Sequence, residues 1–215
     1  GDVINQSGRV NFDNSKIKGS INLNGAVIDD LTLEEFRETL DPTSDLIEFL
    51  NPLGSDNAYY LDTGWVSSDS TIELPNSSSI WVADKNTIGI NEPVKLTWTS
   101  DQNITFEKII TLDDNYLFSV DQRVINNSGL SFDLYPYGLS KRQGIPEMQN
   151  FFILHEGPLS ITDGVLEEYD YDDLKDDKKI KHSSVGGWIG MTDKYWQTAI
   201  IPNQNEPVQQ TYSYS

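Results

Sequence analysis

Apolar and polar residues alternate along much of this chain with a period of two. Ile17, Gly19, Ile21 and Leu23 lie on one side of the alternation. After Asn24-Gly25 it resumes with Val27, Asp29, Leu31 and Leu33. Such alternation predicts half-buried strands, and Asn-Gly between two runs predicts a tight hairpin whose central residues both need φ > 0. A second hairpin follows from Ile104, Phe106, Ile110 and Leu112 on one face, with Lys108 as an interruption. Asp113-Asp114-Asn115 makes its turn, and Phe118, Val120 and Val124 line the return strand. Asn126-Asn127-Ser128-Gly129 ends that strand, and residues 130–134 are expected to begin a third, completing a meander. Further strands are expected at 46–50, 58–66, 80–82, 94–99, 151–155, 188–191 and 195–201. Residues 33–40 read as one or two helical turns stopped by Asp41-Pro42. About a dozen short strands with almost no helix predict an all-β sandwich or barrel rather than βαβ units. No internal repeat and no boundary is visible, so residues 1–215 are expected to form a single β-sandwich domain. Residues 203–215 would be a tail or the start of a further strand.

Composition narrows this picture. The chain has 215 residues, 37% of them hydrophobic and 11% aromatic, which gives it the core-formers that a disordered chain lacks. Its net charge of −19 excludes a protein built to coat nucleic acid and disfavours a basic membrane-surface module. Cysteine is absent, which removes disulfides, thiolate metal sites and thiol catalysis. No run of about 20 apolar residues is present to span a bilayer. The chain opens Gly1-Asp2-Val3 without a signal peptide, as an excised piece would.

The acidity is uneven. Residues 163–177 hold Asp163, Glu167, Glu168, Asp170, Asp172, Asp173, Asp176 and Asp177 against Lys175 alone, and Lys178, Lys179 and Lys181 follow. A solvated loop or hairpin tip is the simple reading, and a docking strip for a basic partner is the sharper one. An EF-hand loop fails here, because Leu174 and Lys175 stand where an oxygen donor and glycine are needed.

Catalytic signatures are sparse. His155 and His182 are the two histidines, and neither has a second ligand at metal-binding spacing. There is no nucleophile elbow or phosphate-cradling loop, and Gly186-Gly187-Trp188-Ile189-Gly190 lacks the context of a dinucleotide fingerprint. With 34 acidic residues the sequence does not select a glycosidase pair. No catalytic residue, metal ligand or cofactor site is therefore assigned.

The run from Gly186-Gly187-Trp188-Ile189-Gly190-Met191 to Tyr195-Trp196-Gln197-Thr198-Ala199-Ile200-Ile201-Pro202 is more specific. With Ile17-Lys18-Gly19-Ser20-Ile21, Ala26-Val27-Ile28-Asp29-Asp30-Leu31, Phe36-Arg37-Glu38-Thr39, Asn51-Pro52, Ala58-Tyr59-Tyr60 and Gly64-Trp65-Val66 in order, it resembles the large periplasmic domain of the YidC family. These are bacterial inner-membrane protein insertases, and the wording is closest to alphaproteobacterial members. The resemblance implies a β-supersandwich similar to galactose mutarotase, held at the periplasmic face of the inner membrane between transmembrane helices that this chain lacks. It implies a non-catalytic accessory role, with the insertion groove elsewhere, and contacts with accessory subunits of the Sec translocon or with client proteins near the Gly-Gly-Trp region. Family members usually continue well past Ile-Pro, so the last strands are expected to be missing. The His–carboxylate pair of mutarotase chemistry falls on no matched position, although a carbohydrate-binding or aldose-epimerase-like protein is the competing reading. Tyr169, Tyr171, Trp188, Tyr195 and Trp196 are the candidate partner-binding residues, because aromatics beside a charge run have the composition of an anchor with a polar rim.

Overall fold

The computed structural model describes residues 8–145, 155–193 and 195–214. The chain gathers into two compact units, Gly1–Gln143 and Gly144–Ser215.

The first unit opens with β1 (Arg9–Asp13), β2 (Ile17–Asn22), β3 (Val27–Arg37), β4 (Leu46–Leu50) and β5 (Tyr59–Val66). It continues with the short β6 (Val82–Ala83) and β7 (Thr87–Ile88), then β8 (Val94–Thr99), β9 (Ile104–Leu112), β10 (Phe118–Asn126) and β11 (Tyr135–Arg142). One sheet runs β11-β5-β3-β2-β1-β7, with β4 on the distal part of β3, and a second runs β10-β9-β8-β6. All pairings are antiparallel except that of β1 with β7. The alternation works as expected: every second residue of β9, from Ile104 to Leu112, is buried. Val10, Phe12, Ile17 and Ile21 face inward from one sheet; Val94, Leu96, Ile104 and Phe106 do so from the other. Trp65 meets Phe106 edge-on at 5.1 Å, and Phe12 meets Phe118 at 5.1 Å, so aromatic pairs close the sandwich. Each fully buried apolar side chain of this core, such as Phe106 or Leu96, contributes about 1.5–3 kcal/mol. Two polar pins join the sheets at their margins. Gln122 Nε2 donates to the Gly64 carbonyl at 2.8 Å, and Asn14 Nδ2 donates to the carbonyls of Asp113 and Asn115.

The second unit holds β12 (Gly157–Thr162), β13 (Val165–Glu168), the helix α1 (Tyr171–Asp177), β14 (Lys179–Val185), β15 (Trp188–Thr192), β16 (Gln197–Ile200) and β17 (Pro207–Ser213). Its four-stranded sheet runs β13-β12-β15-β16, and β14 pairs with β17 as a separate ribbon.

The all-β expectation holds, while several local expectations change. The first hairpin closes over four residues, because Asn22 pairs with Val27 and the positive φ values fall on Gly25 and Ala26. The loop is instead stitched to a neighbouring segment, Gly25 N–H donating to Ser79 O and Trp81 N–H to Leu23 O, each at 2.8 Å. Residues 33–40 are not helical; they carry β3 outward into its hairpin with β4. Residues 130–134 form no strand. The chain crosses there, and β11 pairs with β5 in the other sheet, so the meander stops at two strands plus β8. The strand expected at 195–201 is shorter, with Tyr195 and Trp196 in the turn before it. The strand expected at 151–155 lies outside the described residues, apart from His155, which is not in a strand.

The acidic run is a hairpin followed by a helix. Asp163 and Gly164 both have positive φ between Thr162 and Val165, a two-residue turn of the Asp-Gly kind. Asp170 precedes α1 and its N–H donates to the Asp173 carboxylate, while Tyr171 and Leu174 bury one face. An added Cβ at Gly164 would meet nothing within 4 Å. Gly164→Ala should therefore lose only the left-handed backbone preference, about 1–2 kcal/mol in urea unfolding. A larger loss would mean that the turn is packed.

Candidate interaction surface and a buried polar cluster

The Gly-Gly-Trp motif sits where the ribbon strand β14 turns into β15. Gly186 and Gly187 have φ of 65° and 78°. A Cβ at Gly186 would lie 2.6 Å from the Gln204 carbonyl, and one at Gly187 would lie 2.1 Å from the Ile161 carbonyl. Both positions therefore need glycine for handedness and for space. Gln204 clamps the turn: its Oε1 accepts the Gly187 N–H at 3.1 Å, and its Nε2 donates to the Gly187 and Pro202 carbonyls. Buried Gln210 in β17 donates to the carbonyls of Ile161 and Trp188 and accepts from Thr162 Oγ1 at 2.7 Å. Asp163 caps the end of β14 that adjoins the motif, accepting from Val185 N–H at 3.0 Å. The motif is thus a rigid junction that fixes where β15 begins and holds Trp188 half-buried.

The five aromatic candidates are not equivalent. Tyr195 stands in the β15–β16 turn with 70% of its surface exposed, and Trp196 beside it is half-buried. Tyr169 is half-buried, stacked on His182 with its hydroxyl 2.7 Å from Nε2. Tyr171 is 5% exposed and anchors α1, so its burial removes it from any accessible face. Gln204 and Gln210, which help hold this surface in shape, carry no signal in the sequence, and Asp163 stands out there only as part of the acidic run. Asp163-Gly164 between two alternating runs was the available signal, hidden inside the charge run.

The two histidines serve local structure. His155 Nε2 shares a hydrogen bond with the Pro158 carbonyl at 3.1 Å, and His182 Nε2 shares one with Tyr169. The His–carboxylate pair that an epimerase needs is not among the hydrogen bonds of the described residues.

Polar chemistry in the first unit centres on Lys108. It occupies the buried face of β9 and is 1% exposed. Its Nζ lies 3.5 Å from Asp62 Oδ1, donates to the Ala26 carbonyl at 3.1 Å and sits 5.1 Å from the Trp81 ring centre. Tyr137 donates its hydroxyl to Asp62 Oδ2 at 3.1 Å, with its ring laid over Gly64. Burial pulls the lysine's pKa down against the opposing pull of Asp62. Burial, and then the Asp62 charge, push the Tyr137 phenol far up. The cleft beside these groups has about 30 Å³ of free volume, enough for a water or two and too little for a sugar ring.

In the second unit, burial pushes the Tyr212 phenol up to about 12. A phenol whose folded pKa is raised supports the fold fully below the unfolded value near 10 and loses that support as pH rises through the folded value. Absorbance at 295 nm should therefore show Tyr137 and Tyr212 ionising later than exposed tyrosines, and the melting temperature should fall from pH 10 upward. If all ten tyrosines titrate together near pH 10 with the fold intact, these burial effects are wrong.

The buried Asp29 belongs to a third cluster, at the β-bulge where β3 opposes Ser20 and Ile21. It pairs with Arg9, and Arg9 Nε donates to Ser20 Oγ, which donates to Asp30. The Asp29-Asp30 dipeptide of the resemblance is thus a structural ion-pair network.

Residues 9–215 match the family model described as the YidC periplasmic domain. The chain is 41% identical over 214 residues to the membrane protein insertase YidC of Pelagibacter ubique, covering 99% of this chain and 38% of that protein. It is 40% identical over 205 residues to the YidC of Granulibacter bethesdensis, covering 93% and 36%. With the YidC of Rickettsia bellii it shares 37% over 211 residues, covering 98% and 38%. The chain therefore spans less than two fifths of the length of these relatives. The matching run of 207 residues, with relatives about 40% identical over nearly the whole chain, leads to one conclusion: the chain belongs to the YidC periplasmic domain family.

Proposed function

We propose that this domain serves a bacterial inner-membrane protein insertase as a non-catalytic docking module on the periplasmic side. In this reading it contacts accessory subunits of the Sec translocon, or membrane-protein clients, through the β15–β16 turn. The carrying observation is Tyr195, a large aromatic left 70% exposed on a turn closed by Asp193 N–H donating to the Trp196 carbonyl at 2.8 Å and by Thr192 Oγ1 donating to the carbonyls of Asp193 and Trp196. Rigid aromatic anchors that need little ordering are what interfaces concentrate their binding energy on. Trp196 and the edge of Tyr169 would extend the contact, while Tyr171 would support α1 from within. Glu168, Asp176 and Asp177 give the same unit an acidic rim suited to a partner with lysine or arginine.

The test places a photoreactive benzoylphenylalanine at Tyr195 in the full-length insertase and irradiates inner-membrane vesicles. Adducts with a translocon accessory subunit or a nascent membrane protein are expected. Efficient adducts from exposed Ile80, with none from Tyr195 or Tyr169, would overturn the assignment.

A further inference from the structure

Beyond that reading, we infer that the β3–β4 hairpin is a preformed docking finger whose apex, Leu40, enters an apolar pocket rimmed by basic residues on a protein partner. β2 stops pairing with β3 at Leu33, so the rest of β3 runs past its sheet with only β4 beside it. Residues 35–43 are exposed without interruption. Leu40 is fully exposed, at 104%, and contributes nothing to either core.

The finger is nonetheless ordered by its own polar groups. Arg37 Nη1 donates to the Ser44 carbonyl, and Glu38 N–H donates to the Asp45 carbonyl at 3.0 Å. Asp41 Oδ1 accepts from the N–H and the hydroxyl of Thr43, at 2.8 and 2.7 Å. Ser44 Oγ donates to the Asp41 carbonyl at 2.9 Å. At the base, Tyr116 donates its hydroxyl to Glu35 at 3.2 Å, which braces the hairpin against the β9–β10 loop. Within this segment the side chains of Arg37, Thr43 and Ser44 are spent on loop shape, while the aliphatic side chain is presented outward. The Phe36-Arg37-Glu38-Thr39 run belongs to this device, because Arg37 and Thr39 both bond to Ser44.

Charge selects the occupant. On the outer part of the hairpin Glu35 and Glu38 on one arm, Asp41 in the turn and Asp45 on the other arm make an acidic ring, with Arg37 as its cation. A lipid surface carrying anionic headgroups would repel that ring, and its attraction for a leucine is a single side chain's worth. A protein pocket with lysine or arginine at its mouth satisfies both the leucine and the carboxylates. A preformed finger also loses little conformational freedom on docking.

The experiment uses the full-length insertase with benzoylphenylalanine at exposed Pro42, irradiated in inner-membrane vesicles. A discrete protein adduct is expected. Leu40→Asp in the same chain should reduce it about tenfold or more, Leu40→Met should retain it, and raising salt from about 50 to 500 mM should weaken it. An unchanged melting curve for Leu40→Asp confirms that the fold is untouched. Lipid adducts alone, no protein adduct, or an adduct indifferent to both Leu40→Asp and salt overturns the inference.

Discussion

Asp62→Ala is expected to lower the unfolding free energy by about 3 kcal/mol, the lower end of the range for stranding one member of a buried ion pair. The lower end applies because the Asp62 side chain is one-fifth exposed while that of Lys108 is almost wholly buried. Without the carboxylate, the ammonium keeps the Ala26 carbonyl and the face of Trp81, which together do not replace a charge partner. Lys108→Met behaves differently. It fills the same space with apolar atoms and leaves the one-fifth-exposed Asp62 with its Tyr137 hydrogen bond and some water, so it should cost less than Asp62→Ala. The double variant should recover most of what Asp62→Ala loses. The pH dependence carries a sign. Burial holds the folded pKa of Lys108 below its ordinary 10.5, so the unfolded chain binds more protons between those values and stability from this group rises with pH. The deficit of Asp62→Ala should thus shrink as pH approaches 10. Urea unfolding of the three variants at pH 7 and 9.5 measures all of this. An Asp62→Ala chain within about 0.5 kcal/mol of the parent would mean that the pair is solvated.

Gly187→Ala should destabilise by about 2–5 kcal/mol, from two additive sources. The left-handed φ of 78° contributes about 1–2 kcal/mol, and displacing the Ile161 carbonyl, 2.1 Å from the new methyl, contributes about 1–3 more. β12 and β15 are hydrogen-bonded neighbours at Ile161 and Trp188, so the strain falls on the register that positions the aromatic turn. Hydrogen exchange should report faster opening of β12, β15 and β17 than of β8 and β9. Gly164→Ala provides the comparison, since it shares the handedness without the collision. Equal losses in the two variants would remove the packing argument for the motif.

Much of the architecture can be read from the chain because one buried face per strand leaves a period-two trace. β9 and β10 follow that trace closely, while β2 and β3 break it at the bulge, where Ser20 with Ile21 and Ile28 with Asp29 are buried in succession. It fails where distant partners decide. Lys108 looks like a break in a hydrophobic face, yet it keeps the alternation, because Asp62, the Ala26 carbonyl and Trp81 converge on it from other strands and loops. Residues 33–40 carry helix-compatible spacing, but β4 supplies an antiparallel partner that no local pattern encodes. The dense charge of residues 163–177 masks the helix α1, although Asp170 with Asp173 is a legible start signal. At the candidate surface, the glycine pair was visible as a motif. Its reason was not, since the colliding carbonyls belong to Ile161 and Gln204.

The pairing of β11 with β5 also sets a timetable. The aromatic strand β5, with Tyr59, Tyr60 and Trp65, is complete at Val66, but its outer partner ends only at Arg142. At roughly 5–20 residues per second, those intervening 75 or so residues take about 4–15 s to emerge. During that interval β5 is a sticky, half-paired ribbon, and a holding chaperone would find its substrate there. Once β11 docks, Pro136 falls at a position facing away from β5 and offers no N–H to a further strand, so the ribbon that was most adhesive during synthesis ends as a blunted border.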